Sequence, residues 1–174
     1  MHQANILNFV KSDGDILKIL NFIKRNWIMF LLGCAFYTLI EIFWRGYSFR
    51  EMSILGGLIF VTGGLLNNKF SWKMDLLLQC GIISVMITIS EAIIGNIDYY
   101  FLHKNMWNYS NLPLSYLNGK ICVPFTIIWF LMGFMIIFVH DAITYYWMHE
   151  GEQPEYWIFK NRIWQMPKRN CELH

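Results

Sequence analysis

Charge is what this chain has least of. Only 15% of its 174 residues are Asp, Glu, Lys or Arg, against 56% hydrophobic and 18% aromatic. That balance departs from the soluble norm toward the membrane class, and the positive mean hydropathy agrees with it. The formal net charge is +2 and the sequence holds no basic patch suited to a phosphate backbone, so nucleic acid is not an expected partner. Cys34, Cys80, Cys122 and Cys171 form no C-x-x-C pair, which argues for packing residues rather than a disulfide framework. His2, His103, His149 and His174 are scattered, and no His or Cys spacing suits a metal, so neither a metal nor another cofactor is expected. There is no G-x-S-x-G elbow, and no Ser/His/Asp set that falls on one side. A Walker phosphate loop is also missing, so an ATP-driven role would need a separate ATPase subunit. Residues 1–22 lack the pattern of a cleavable signal, and neither end carries a lipidation motif.

What is present is a set of long apolar runs: Trp27–Phe43, Met52–Leu66, Leu76–Ile97 and Ile121–Val139. A spanning helix needs about 20 apolar residues, and only helices or closed barrels satisfy their backbone in lipid. The expected fold is therefore all-α: a polytopic integral membrane protein of about four transmembrane helices. The second run is short. Its Gly56, Gly57, Gly63 and Gly64 repeat as pairs seven residues apart, which lets backbones approach closely and suits a span buried among the others, with Phe49 or Phe70 extending it.

Three segments follow from this reading. Residues 1–25, with Ile16, Leu17, Ile19, Leu20, Phe22 and Ile23 among Lys18, Lys24 and Arg25, form an amphipathic cytoplasmic segment. Residues 26–147 form the transmembrane domain. Residues 148–174 form an aromatic and basic tail, with Tyr156, Trp157, Phe159, Ile163 and Trp164 beside Lys160 and Arg162 on a helix ended by Pro167. Lys and Arg number ten on the side holding both termini and four on the other, which sets both termini in the cytoplasm of a cell (plasma) membrane. Residues 98–120 then form the long outer loop, rich in turn formers, with Trp107 and Tyr109 at the level of an aromatic belt.

Two intramembrane glutamates carry the functional interest. The segments Thr38-Leu39-Ile40-Glu41 and Thr88-Ile89-Ser90-Glu91 share T-x-x-E, each followed by a glycine (Gly46, Gly95), a faint sign of a duplicated hairpin. Glu41 has Arg45 four residues on, within pairing reach. Glu91 has no basic neighbour on its own helix, so it must find a partner on another helix or in water, or else be left neutral by a raised pKa. An intramembrane charge is by default a functional hypothesis, with fixation of helix register as the structural alternative. The candidate substrate-binding residues are Glu41, Arg45, Glu91, Asn96, Trp107 and Tyr109, forming a polar pocket that opens outward. His140 and Asp141, at the inner end of the last run, are expected at the water interface and carry less weight.

Two stretches resemble a known family. Thr38 through Tyr47, then Met52 and Ile54-Leu55-Gly56-Gly57, is similar to the CmpB-like, type IV ABC-transporter permeases. So is Trp107-Asn108-Tyr109-Ser110-Asn111-Leu112-Pro113, continued by Gly119-Lys120-Ile121-Cys122, Phe125 and Trp129. The family pattern reads W-D-Y-S and G-Q-I-C there, so Asn108 and Lys120 depart from it, and His140-Asp141 replaces a paired acidic site. The resemblance covers about residues 36–156 and implies a small four-helix integral membrane protein, and with less force a transport role. A transporter or permease component in the lipid bilayer, as a homo-oligomer or with an ATPase partner, is the first expectation. A structural, regulatory or pore-forming subunit acting through oligomerisation is the second. An embedded enzyme using a glutamate as acid or base is the third.

Overall fold

The computed structural model describes residues 2–69 and 74–169, with side chains over 16–66 and 74–169. Phe70, Lys73, Cys171 and His174 lie outside the described residues, as do the side chains of His2, Lys11 and Lys69. Four helices dominate: α1 (His2–Arg45), α2 (Arg50–Lys69), α3 (Leu76–Ile97) and α4 (Val123–Ala142). Single π-helical turns, Asp98–Leu102 and Ile143–Trp147, continue α3 and α4. Two small antiparallel hairpins complete the chain: β1 (Ser115–Tyr116) with β2 (Ile121–Cys122), and β3 (Glu155–Ile158) with β4 (Asn161–Gln165).

Three of the helical segments are long and apolar enough to cross a membrane: Ile16–Arg45, Leu76–Leu102 and Val123–Trp147. α2 is not among them. It turns back from α1 after Gly46, whose φ of +82° closes the connection in a conformation that favours glycine. α1 packs chiefly on α2, and α3 on α4, while α2 also touches α3 and α4 and so joins the two pairs.

The apolar pattern explains the packing. On α3, Leu76, Cys80, Ile83 and Ile87 recur every three or four residues, and they meet Met52, Leu55 and Ile59 of α2 and Ile137 of α4 in one core. The opposite stripe of α3, Leu78, Val85, Ile89, Ile93 and Ile97, is equally apolar yet exposed, as are Ile127, Leu131 and Met135 of α4. Helices apolar on both faces need an apolar surrounding, which is the arrangement lipid provides.

The α2 glycines make close approaches, but the two pairs face different neighbours. A Cβ at Gly56 would lie 2.4 Å from the Tyr37 Cβ, and one at Gly57 would lie 2.6 Å from the Cys34 Sγ, both on α1. Gly63 instead faces Ile136 and Ile83, and Gly64 lies flat against the His140 ring.

α1 is unbroken through residue 25, so residues 2–25 are continuous with the first long helix. Arg25 pairs with Glu150 at 2.9 Å, and residues 16–24 are exposed. The tail is a β-hairpin, not a helix ended by Pro167. Its strands are rich in aromatic and β-branched residues, and Tyr156 stacks on Trp164 and packs on Phe138 of α4. Asp75 fastens the hairpin to the bundle: Oδ1 caps α3 by accepting from the Leu77 amide at 2.9 Å, and Oδ2 accepts from the Phe159 amide at 2.7 Å.

Candidate functional site

Glu91 continues the core stripe of α3, four residues beyond Ile87 and four before Gly95, so helical spacing alone turns it inward. It is 3% exposed. Its partners come from outside its own helix: the Tyr109 hydroxyl donates to Oε1 at 3.0 Å and the Trp129 indole N–H donates to Oε2 at 2.8 Å. Both donors are neutral. Burial and the adjacent carboxylate push the Tyr109 hydroxyl well above the usual phenol range, so it stays protonated and remains a donor. Tyr109 is held in turn by stacking on Phe125, at 4.4 Å between ring centroids.

Glu41 is provided for locally. The Arg45 guanidinium donates to its Oε1 at 2.6 Å, and Tyr37, one turn earlier, donates to the same atom at 2.9 Å. Its buried Oε2 has no hydrogen-bond partner among the described residues. Arg45 also donates to the Met106 carbonyl at 2.7 Å and lies over the rings of Tyr47 and Phe49. The segment 106–109 therefore touches both glutamates, receiving Arg45 at Met106 and reaching Glu91 through Tyr109.

A cavity of about 90 Å³ lies among the four helices. Tyr37, Glu91 and Trp129 line it with Gly33, Gly56 and a wall of aliphatic and aromatic side chains. Of the six sequence candidates, Glu91 alone is on this lining. Glu41, Arg45 and Tyr109 connect to it through hydrogen bonds. Asn96 is turned to its own helix, where it donates to the Ala92 carbonyl at 2.6 Å. Trp107 anchors the loop by donating from its indole to the Lys120 carbonyl at 2.9 Å.

Tyr37 and Trp129 were not among the candidate site residues. The i, i+4 relation to Glu41 is the signal for Tyr37, and the family-like stretch that reaches Trp129 is the signal for that residue. A buried clasp beside the site was also missed. Asp98 accepts from the Lys104 and Met106 amides at 2.9 Å each, and the Lys120 ammonium sits 3.7 Å from its Oδ2 while donating to the Trp107 carbonyl at 3.0 Å. Asn108 points away from the glutamates. It is exposed and closes its own turn, accepting from the Ser110 amide at 2.8 Å.

His140 and Asp141 correct a further expectation, since both are buried at 4% exposure rather than open to water. Tyr156 donates to Asp141 at 3.1 Å, and burial next to that acid holds its hydroxyl above the usual range. Asp141 thus helps to seat the C-terminal hairpin, while His140 packs against Gly64 and Phe60 of α2. Among the described residues no group of three or more His, Cys, Asp or Glu side chains is placed to hold a metal ion.

A bundle of helices apolar on its inner and outer faces, with two glutamates held by hydrogen bonds within it, defines a helical membrane protein. The chain belongs to the family described as "Putative ABC-transporter type IV", whose model matches residues 16–164. No curated protein and no solved structure matches it.

Proposed function

We propose that the chain is a transport component of the plasma membrane, with α2 as a fourth span and both termini in the cytoplasm. Its solute-contacting groups are then Glu41, Arg45 and Glu91, with Tyr109, Trp107 and Asn96 shaping an outward-facing polar approach to them. One observation carries the reading: Glu91 is buried inside an apolar bundle, on the wall of a cavity, with only neutral donors. A carboxylate costs several kcal/mol in such a setting, and purely structural positions rarely retain one without a cation. The free Oε2 of Glu41 supplies a second acceptor. The family description supports transport, and the ten-to-four division of basic residues supports the orientation.

Four spans around a cavity of this size make no through-path, so transport requires a homo-oligomer or partner subunits, including an ATPase on a separate chain. The test replaces each glutamate by its neutral isostere in the full chain, Glu41→Gln and Glu91→Gln. Membrane accumulation, assembly size and the phenotype of a strain lacking the wild-type copy are then scored. Loss of phenotype with normal accumulation and assembly is the expected result. Loss of assembly first would favour a structural, regulatory or pore-forming subunit acting through oligomerisation. Retention of all three properties rules out the glutamate site.

A further inference from the structure

Bulky apolar residues stand in both small hairpins where the backbone favours glycine. Leu114 has a φ of 54° and Phe159 a φ of 46°, left-handed conformations that are unfavourable for any residue with a Cβ. Gly or Asn is the usual choice there. Packing within the chain does not offset the strain, since the two side chains are 60% and 78% exposed. Leu117, with a φ of 52° and 49% exposed, repeats the arrangement in the loop between β1 and β2.

Both tips are tied to the N-terminus of a helix long and apolar enough to cross a membrane. The Val123 amide, which opens α4, donates to the Leu114 carbonyl at 3.2 Å. The Phe159 amide donates to Asp75, the cap of α3, at 2.7 Å. From these points the exposed apolar stripes run on, through Val123, Ile127 and Leu131 of α4 and through Leu78, Val85 and Ile89 of α3. The two helices are antiparallel, because Gly95 meets Lys120 whereas Gly133 meets Cys80. The hairpins therefore lie at opposite ends of the bundle.

We infer that the two hairpins are lipid anchors, one in each leaflet, which insert Leu114, Leu117 and Phe159 among the acyl chains at the membrane boundary. Water does not account for these residues, because in water an exposed Leu or Phe gains nothing over the Asn that such a backbone prefers. A second copy of the chain is the poorer match. The tips extend the exposed stripes of two different helices at opposite ends, and a bilayer has an apolar boundary at both. Tyr116 and Trp164, also exposed, are amphipathic rings that suit the headgroup level. Lys160 follows Phe159 and is exposed, so its long stem can carry the ammonium to lipid phosphate while the ring goes deeper. Anchors at both ends oppose vertical sliding of α3 and α4, the pair that holds Glu91 and Trp129. The assignment rests on those helices crossing the membrane and not on what the chain transports.

The experiment uses the full wild-type chain in phosphatidylcholine liposomes that include a phosphatidylcholine with a photoactivatable diazirine in one acyl chain. Lipid adducts are mapped by mass spectrometry after irradiation. Peptides holding residues 114–117 and Phe159 should carry adducts at least about fivefold more often than the exposed turn at residues 151–152. Asn tolerates the left-handed backbone without the apolar group. Phe159→Asn, and Leu114→Asn combined with Leu117→Asn, should each lower adducts at their own tip by at least about fivefold and leave those on the α3 and α4 stripes unchanged. Wild-type tips labelled no more than residues 151–152 overturn the assignment. Tips that label only in nanodiscs holding one chain, and not in liposomes, mark contact between copies and overturn it as well. The wild-type measurement needs no variant, so it decides even where a variant fails to accumulate.

Discussion

The two helical hairpins, α1–α2 and α3–α4, use the same T-x-x-E pattern alike at the threonine and differently at the glutamate. Thr38 shares a hydrogen bond with Ser53 of α2 at 2.6 Å, and Thr88 shares one with Thr126 of α4 at 3.3 Å. Each threonine thus ties its own hairpin together. One turn later the environments part. Glu41 is neutralised within its own helix by Arg45, whereas Glu91 borrows an indole and a phenol from outside its helix and faces a cavity. The lesson is that burial alone does not mark a functional acid. What separates these two is whether folding supplies the counter-charge.

The largest effect should come from breaking the compensated side. Arg45→Met leaves Glu41 largely buried beside a phenol only, and should cost about 2–4 kcal/mol, a value reduced from the fully buried case because both side chains keep some solvent contact. Adding Glu41→Gln to Arg45→Met should recover most of that loss, since the orphaned charge is gone. Glu91→Gln orphans no cation and should cost about 1 kcal/mol. Reversible unfolding of the full chain in mixed micelles measures all three variants against wild type. Equal losses for Arg45→Met and Glu91→Gln would erase the distinction.

Glycines sharpen the same comparison through packing. Gly56→Ala forces a Cβ onto Tyr37 of the first hairpin and should destabilise by about 1–3 kcal/mol, loosening the Tyr37–Glu41 bond as well. Gly81, on the second hairpin, has no atom within 4 Å of its would-be Cβ, so Gly81→Ala should stabilise by about 0.5–1 kcal/mol through helix propensity. The same unfolding measurement decides between them. A stabilising Gly56→Ala would mean that α1 and α2 are not in close contact there.

How much of this could be read from the sequence depends on how local each signal is. Three spans follow from run length and hydropathy, and the Glu41–Arg45 pair follows from a four-residue spacing. Glu91's lack of a local partner was legible too. The identity of its donors was not, because Tyr109 sits 18 residues away and Trp129 sits 38 away, and single-chain periodicity says nothing about which helices meet. The C-terminal hairpin was hidden for a different reason. Its two turn residues, Phe159 and Lys160, have φ of 46° and 65°, yet they carry none of the Asn or Gly chemistry that normally announces such a turn. The density of aromatic and β-branched residues in Tyr156, Trp157, Ile158, Ile163 and Trp164 was the available clue. Asp141 is met by Tyr156 of that hairpin and His140 by Gly64 and Phe60 of α2, so their burial rests on long-range packing that local periodicity does not show.

The weakest tether between the two hairpins gives the smallest predicted effect. Glu51, at the start of α2, pairs with Lys104 in the loop after α3, and both side chains are partly exposed. The Lys104 hydrogen bond holds the Glu51 carboxyl below the usual carboxylate range. Its folded-state pKa is therefore lower than its unfolded value, which lies near 4.3 for a free Glu. The pair's contribution is then fully present above that unfolded value and is lost as pH falls through the folded one. Wild type and Glu51→Gln should differ in Tm by about 1 °C or less at neutral pH, and the gap should close below about pH 4. Raising the salt concentration should also close it, because exposed pairs are screened. The more buried bond from Arg45 to the Met106 carbonyl should resist both treatments. A Glu51→Gln gap that widens on acidification would reverse the sign of the pKa shift and remove Lys104 as its cause.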